Sequence, residues 1–342
     1  MLPSLLNVHC HSCRCPAKLI GRVESVPGRL GRQDGYVLPR SAPTPGDRRR
    51  HDELGHVLPL HSAARIMAAS WFRQLGLRSA PVNKSFLLKK WYLDCVTTAG
   101  DAALIYLADL SWRMLSIQYS SLLTLRAGEM QRKSSLCRRA LPARSESGIE
   151  VHAPQLGFRG TWRPLANSIK RKIFECEDGT IDWQCFQPKA QVELCFASHQ
   201  TIRGLGYAEC LTLSMPPWKL PLNELHWGRF LTTQDCVVWI DWRGAYKNRV
   251  ILYNGNDVEA ESVSESAITL FDGTRVELDR STILRTGPLG KTVFPTLPGI
   301  TAILPGRVKS IYETKWLSAG FLRSGDQVRP GSAIHEVVRW IE

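Results

Sequence analysis

What the chain lacks narrows its class before anything it contains. No run of about 18 apolar residues occurs. The nearest candidate, LADLSWRMLSIQYSSLLTL, carries Asp109 and Arg113 and alternates in polarity, which suits strands. No transmembrane segment is expected. The opening MLPSLLNVHCHSCRC has neither the charged start, the unbroken apolar core nor the small-residue cleavage site of a secretory leader. The expected location is therefore cytoplasmic. Familiar reaction motifs are also missing: there is no G-x-S-x-G elbow, no G-x-x-x-x-G-K-[ST] loop and no H-E-x-x-H helix. The Gly-x-Gly of RGLGYAE leads into a strand pattern rather than opening a helix, so a dinucleotide is not expected. No cofactor is expected.

The composition is that of a folded chain. Hydrophobic residues make up 44% and charged residues 22% of the 342 positions, enough for about two domains with cores of their own. Ten cysteines are scattered without a secretory context, five of them (Cys95, Cys185, Cys195, Cys210, Cys236) inside strand-like runs, so reduced and mostly buried thiols are expected. The formal charge is +13, of which residues 1–66 carry +5 (ten Lys/Arg against five Asp/Glu), leaving +8 for the rest. A balance spread in this way argues against a dedicated nucleic-acid surface.

Residues 1–66 are rich in Pro, Gly, Arg and His and hold no apolar period, so they read as a disordered or mis-assigned extension ahead of Met67. HCHSCRC (His9 to Cys15), followed by His51, His56 and His61, suggests zinc by residue type. The surrounding segment offers no periodic hydrophobic element to pack around a metal, and no metal site is expected.

From Lys84 onward the apolar period is two. Asp178-Gly179, Asn254-Gly255 and Asp272-Gly273 each separate alternating runs, and TTAGDA divides FLLKKWYLDCV from ALIYLADL. Such dipeptides supply the positive φ of tight hairpin turns, so the expected fold is all-β and antiparallel. Helix is expected only near Ala63–Leu75 and at Ala333–Ile341, and the latter reads equally well as a strand. Pro216, Pro217 and Pro221 cannot donate to a ladder and mark the seam between two β-domains, 84–215 and 225–342. No internal repeat is visible by eye.

Several polar residues sit among aromatic ones. Alternation in VVWIDW puts Asp241 on a face with Trp239, and in GYAECLTL it puts Glu209 with Tyr207, Leu211 and Leu213. A barrel lumen would desolvate Glu209, raise its pKa and suit it to act as a general acid. The plainer alternative for each carboxylate is a salt bridge or an exposed rim. His226 adjoins Trp227, Gly228 and Arg229 in HWGRF. It could relay a proton or simply be hydrogen-bonded, and Gly228 allows a close backbone approach or a bulge. YETKW and AIHEVVRW add Glu313, Lys315, Trp316, His335 and Glu336; Glu313 with Lys315 reads as a surface ion pair.

Taken together, KWYLDCV, GLGYAECL, PPWKLPLNELHWGRF, VVWIDWRG, YETKW and AIHEVVRW resemble bacterial proteins related to the carotenoid 1,2-hydratases (hydroxyneurosporene synthases), from about Lys84 to Glu342. The resemblance implies two lipocalin-like (calycin) β-barrel domains and the addition of water to an isoprenoid double bond. On that chemistry the catalytic candidates are Glu209, Asp241 and His226. Tyr207, Trp227, Arg229, Trp239, Trp316 and His335 are the ligand-binding candidates, the indoles and phenol facing a cation. The expected partner is a hydrophobic small molecule held in a lumen or between domains, with a peripheral membrane contact left open. A non-catalytic lipid carrier or structural protein is the alternative. Nucleic-acid binding through Lys170–Lys172 and Arg138–Arg139 ranks last.

Overall fold

The computed structural model describes residues 83–113, 115–136, 141–293 and 305–340. The 1–66 extension, its His/Cys cluster, the Ala63–Leu75 segment and Arg138–Arg139 lie outside the described residues. What is described is nearly all β, in two large antiparallel sheets. The first comprises β1 (Asn83–Val96), β2 (Ala102–Arg113), β3 (Leu115–Arg126), β4 (Glu129–Ser135), β5 (Ala143–Ser145), β6 (Gly148–Ala153), β7 (Phe158–Pro164), β8 (Ile169–Cys176), β9 (Gly179–Phe196) and β10 (Thr201–Leu213). The second comprises β11 (Glu224–Leu231), β12 (Cys236–Arg243), β13 (Asn248–Tyr253), β14 (Asn256–Asp257), β15 (Ala260–Val263), β16 (Ala267–Leu270), β17 (Arg275–Leu278), β18 (Thr282–Pro288), β19 (Tyr312–Ser324) and β20 (Gln327–Arg339).

The strand order is β4-β3-β2-β1-β10-β9-β7-β6-β5 with β8 laid against β9, and β14-β13-β12-β11-β20-β19-β17-β16-β15 with β18 laid against β19. Adding ten to every strand number converts the first path into the second, so the two sheets are copies of one topology. Each is an open path that curls around its own core rather than a ring closed by hydrogen bonds. The long strands fork: the first half of β9 pairs with β8 and the second half with β7, and the bend between them carries Pro188, which has no N–H to offer a ladder.

Turn chemistry accounts for the hairpins. Asn254 and Gly255 take φ of 50° and 84° between paired Tyr253 and Asn256, the left-handed pair that a two-residue turn requires. Ala127 and Gly128 do the same between β3 and β4, with φ of 48° and 80°. In the β8–β9 hairpin Gly179 is already paired with Cys176, so the turn residues are Glu177 and Asp178 rather than Asp178 and Gly179. Ala333–Arg339 is strand, the end of β20. Two short helices, α1 (Leu289–Thr292) and α2 (Gly306–Ser310), and a single 3-10 turn at Pro217–Lys219 complete the described elements. No helix among the described residues is long and apolar enough to cross a membrane.

Alternation gives each sheet two apolar faces. The inner face of the first holds Trp91, Leu93, Ile105, Trp162 and Val192, and that of the second Phe230, Trp239, Ile268 and Leu322. A third and larger cluster lies between the sheets, joining Tyr92, Trp183 and Tyr207 of the first to Trp227, Val238, Leu317 and Ile334 of the second. The domains thus pack through the outer faces of their sheets. Asp94 of β1 and Arg229 of β11, both 0% exposed, clamp this seam: Arg229 donates from Nη2 to Asp94 Oδ1 (2.8 Å) and from Nε to Oδ2 (3.1 Å). The Tyr92 hydroxyl donates to the same carboxylate at 2.9 Å, and Arg229 Nη1 donates to the Ser332 carbonyl at 3.0 Å.

Removing one member strands a buried charge, so Asp94→Ala or Arg229→Ala is expected to lower unfolding stability by about 3–5 kcal/mol. The paired replacement Asp94→Leu with Arg229→Met is expected to cost less than either single change. Urea denaturation midpoints of the three variants test this; a double variant weaker than both singles would contradict it.

Candidate functional site

The polar residues of the seam come from the same alternation that makes the sheets. Lys90, Tyr92 and Asp94 share the outer face of β1, joined by Tyr106 of β2, Trp183 of β9, and Tyr207 and Glu209 of β10. Opposite them stand Trp227 and Arg229 of β11, Arg285 of β18, Glu313 and Lys315 of β19 and Glu336 of β20.

Lys315 is the centre of this set, 2% exposed. Its Nζ lies 5.2, 5.5 and 5.1 Å from the ring centres of Tyr92, Tyr106 and Trp227, within cation–π range of all three. It is ion-paired with Glu336 Oε2 and lies 3.9 Å from Glu313 Oε1. Burial pushes the ammonium pKa down, but Glu336, Tyr106 and Glu313 more than reverse that push and keep it charged. Glu313 Oε1 also accepts from Arg285 Nη2 at 2.5 Å.

Burial drives the two acids' pKa values upward, and their neighbours then separate them. Glu313 ends above the usual carboxylate range, with burial first and the Glu336 charge adding to it against Arg285. Glu336 ends below that range, because Lys315 and Lys90 overcome its burial. The same burial therefore ends in opposite directions for the two acids, Glu313 upward and Glu336 downward. The sequence reading of Glu313 and Lys315 as a surface pair is corrected here: both are buried, at 4% and 2% exposure.

A cavity of about 360 Å³ opens from this cluster between the two sheets, a size typical of small-molecule pockets. Lys90, Tyr106, Arg285, Glu313 and Glu336 line its polar part. The rest is apolar: Leu88, Leu110 and Trp112 from the first sheet, Val338 of β20 and Trp340 just beyond it, and Leu289 and Val308 from the short helices. Pro217, Trp218, Leu220 and Leu222 form another wall. The proline-rich stretch is thus both corner and wall. Its lack of ladder partners lets it cross between the sheets, and Trp218 packs edge-on against Trp112 with ring centres 5.1 Å apart. A smaller space of about 10 Å³ adjoins the polar part, lined by Tyr106, Tyr119, Ser121, Arg132, Arg285 and Lys315 among others.

Glu209 stands just behind this surface. Its Oε2 accepts from Trp183 Nε1 and from the Tyr207 hydroxyl, each at 2.6 Å. Burial raises its pKa, and those two hydrogen bonds oppose the rise. The desolvation expected of a lumen is thus supplied by the partner domain packed on the outside of the sheet.

The other candidates fall on the opposite face of the second sheet, inside its curl. Asp241 accepts from Arg243 Nε (2.9 Å) and Arg249 Nε (3.0 Å), the salt-bridged alternative weighed from the sequence. His226 is buried with Nε2 2.6 Å from Glu224 Oε1, and it stands opposite Asp241 across the β11–β12 ladder. His335 bonds Ser318 Oγ at 2.9 Å and stacks on Trp316 with ring centres 5.1 Å apart; Trp239 lies beyond, at 6.2 Å. Gly228 continues the ladder without a bulge, and a Cβ there would meet the Trp239 ring at 2.2 Å, so the glycine serves close approach.

Glu209, Asp241 and His226 therefore do not converge. Glu209, Tyr207, Trp227 and Arg229 face the seam, whereas Asp241, His226, Trp239, Trp316 and His335 occupy the second lumen. None of the nine lines the cavity. Lys90, Tyr106 and Arg285 went unremarked in the sequence; the available signal was Lys90 sharing a strand face with Phe86, Leu88 and Tyr92. Arg171 and Lys172, read as a basic cluster with Lys170, are paired with Asp257 and Glu175 at 2.6 and 2.9 Å.

The fold and site define a duplicated antiparallel β protein whose two sheets enclose an apolar cavity ending in buried ions. No family model and no curated protein matches the chain. Solved structures with similarity include a protein assigned as AttH from Nitrosomonas europaea, at 9% identity and TM-score 0.48, covering 77% of this chain and 95% of the other. CghA with Sch210972 has 10% identity and TM-score 0.48 over 77% and 94%. Kievitone hydratase from Nectria haematococca has 8% and 0.45 over 74% and 88%. At these values no shared activity follows, and the chemistry below is built from this chain's own residues.

His335 links the second lumen to solution pH. Burial, then the nearby charges of Lys315 and Arg280, lower its pKa from 6.5 to about 3 in the folded state. Unfolding below about pH 6.5 is thus accompanied by proton uptake; the contribution of His335 is complete above about pH 6.5 and declines toward pH 3. His335→Gln is expected to show a smaller drop in urea midpoint between about pH 7 and about pH 4.5 than the unaltered protein. An equal or larger drop would assign the acid sensitivity elsewhere.

Proposed function

We propose that the chain binds a hydrophobic, isoprenoid-like small molecule in the interdomain cavity and protonates one of its double bonds, a hydratase- or cyclase-type reaction. One observation carries the reading: an apolar cavity of about 360 Å³ ends on two carboxyls, Glu313 and Glu336, whose surroundings push the first pKa up and the second down. A carboxyl held neutral by burial is what a general acid needs.

In this reading Glu313 gives its proton to an alkene carbon, leaving a tertiary cation on the neighbouring carbon. The aromatic faces of Tyr106 and Trp112 on the cavity wall suit such a cation. In a hydration, a water oxygen bonds to the cation and its proton returns to the Glu313 carboxylate, so alkene and water become a tertiary alcohol. The adjoining space of about 10 Å³, about one water in size and lined by Tyr119 and Ser121, supports a water-using course. In a cyclisation, a second double bond of the same molecule attacks instead, and the new cation loses a neighbouring proton to the Glu313 carboxylate, so the product is an isomer of the substrate. Lys315 and Arg285 act as positioning residues: they hold Glu336 charged and Glu313 aimed, and the three-ring cage fixes the ammonium. Glu209 fixes the Tyr207 hydroxyl, and the Tyr207 ring packs edge-on against Trp227 of that cage with ring centres 5.8 Å apart.

The non-catalytic carrier remains the second reading, favoured by the ion pairs that both acids already make with Arg285 and Lys315. Incubating the protein with acyclic isoprenoid alkenes in ¹⁸O-labelled water, followed by mass spectrometry of the organic extract, separates the two. The expected result is a labelled alcohol or a cyclised isomer, with Glu313→Gln reducing its rate by about 10²–10⁴-fold while ligand retention persists. Retention of ligand with no chemical change in the unaltered protein would establish the carrier.

A further inference from the structure

The cavity wall says more about its ligand than that it is apolar. Lys90 lines the cavity, and among the described residues its Nζ makes no ion pair and no hydrogen bond; its one close contact is the Tyr106 ring, 5.4 Å away. Glu209 and Glu336 feel its field without reaching it. From β18 of the second sheet, Arg285 holds its guanidinium carbon 5.4 Å from the same ring. Its Nη2 serves Glu313, and its Nε is buried without a partner. Two buried polar atoms of the cavity-lining residues lack a partner, Arg285 Nε and Trp340 Nε1, and both are N–H donors. Charge points the same way. Lys90, Arg285 and Lys315 bring three cations to the polar part, against the two carboxyls of Glu313 and Glu336, each already paired with Arg285 or Lys315.

A buried donor left unmet is costly, and unpaired positive charge in an apolar enclosure more so. An alkene or a plain hydrocarbon answers neither. An alcohol offers an oxygen but no charge, and an ammonium head would be repelled.

We infer that the cavity takes an amphipathic ligand with a carboxylate head, an apolar acid whose oxygens lie between Lys90 and Arg285 and whose chain runs along Trp112, Trp218 and Leu220. This rests on the interdomain cavity being the ligand site. The head then fixes which part of the chain can react: carbons a few bonds from the carboxylate lie beside Glu313, and the far end of the chain lies against the tryptophans.

The test is equilibrium binding of the full chain to geranic acid, to geraniol and to methyl geranate, which share a skeleton and differ in the head. The acid is expected to bind about ten- to a hundredfold more tightly than the alcohol or ester at neutral pH, as a charge-assisted contact implies. Its advantage should shrink when the pH falls far enough to protonate it, a readout that needs no variant. Lys90→Met is expected to collapse the acid-to-alcohol ratio toward one, whereas Arg171→Ala, a remote exposed cation, should leave the ratio as it was. Equal affinity for acid, alcohol and ester would overturn the carboxylate inference and leave the cavity reading standing. An acid preference untouched by Lys90→Met would also overturn it, since the head would then lie elsewhere. Failure of all three probes to bind would overturn the cavity reading itself.

Discussion

Everything functional in this protein is built on the outer faces of two sheets, and the Asp94–Arg229 pair is what holds those faces together in one register. Neither side chain has any solvent exposure. Such a pair stabilises only when its geometry is good and every remaining donor and acceptor is met, because taking two ions out of water costs several kcal/mol each, an order-of-magnitude figure. Here the carboxylate has both guanidinium contacts plus the Tyr92 hydroxyl, and the guanidinium has the Ser332 carbonyl as well. Sliding one sheet over the other would break both Arg229–Asp94 bonds, while the Tyr92 and Ser332 bonds hold each partner in place on its own sheet. The clamp therefore acts less as a source of affinity than as a pin, and the Lys315 cage, with rings from both domains, is positioned by it.

The duplicated topology explains why the site lies where it does. Curled sheets of this kind usually receive ligands in their lumen. In this chain both lumens are filled, the first by Trp91, Trp162 and aliphatic neighbours, the second by Phe230, Trp239 and the His335–Trp316 stack. Gly228 shows how closely the second is packed, since even a methyl group there would collide with Trp239. Large side chains consume the interior volume, and the free space is displaced to the seam. There the linker, the short helices and the two outer faces meet imperfectly. The same displacement gives Glu209 its burial from outside the barrel.

Much of the architecture was legible before folding. Asn254-Gly255 announced its turn, alternation put Glu209 with Tyr207 and Asp241 with Trp239, and the prolines from Pro216 to Pro221 fell between the sheets. The errors share a cause. A period of two says which residues share a face, but it carries no sign saying whether that face is lumen, seam or solvent. Glu313 and Lys315 were therefore read as surface, and His226 and Asp241 were grouped with Glu209 although a sheet separates them. The internal duplication was invisible because pairing order, not residue identity, is what the halves share.

By itself the sequence determined the local conformation: extended strands, their turns, the side-chain alternation and the one stretch that could not join a ladder. These depend on backbone sterics and on neighbours a few residues apart. Tertiary structure alone decided which faces met, and so which acids lost their water, which cations found partners and where space remained. Those outcomes depend on dielectric surroundings and on charges brought together from β1, β18, β19 and β20, separated by as much as the length of the folded chain. No local pattern encodes them.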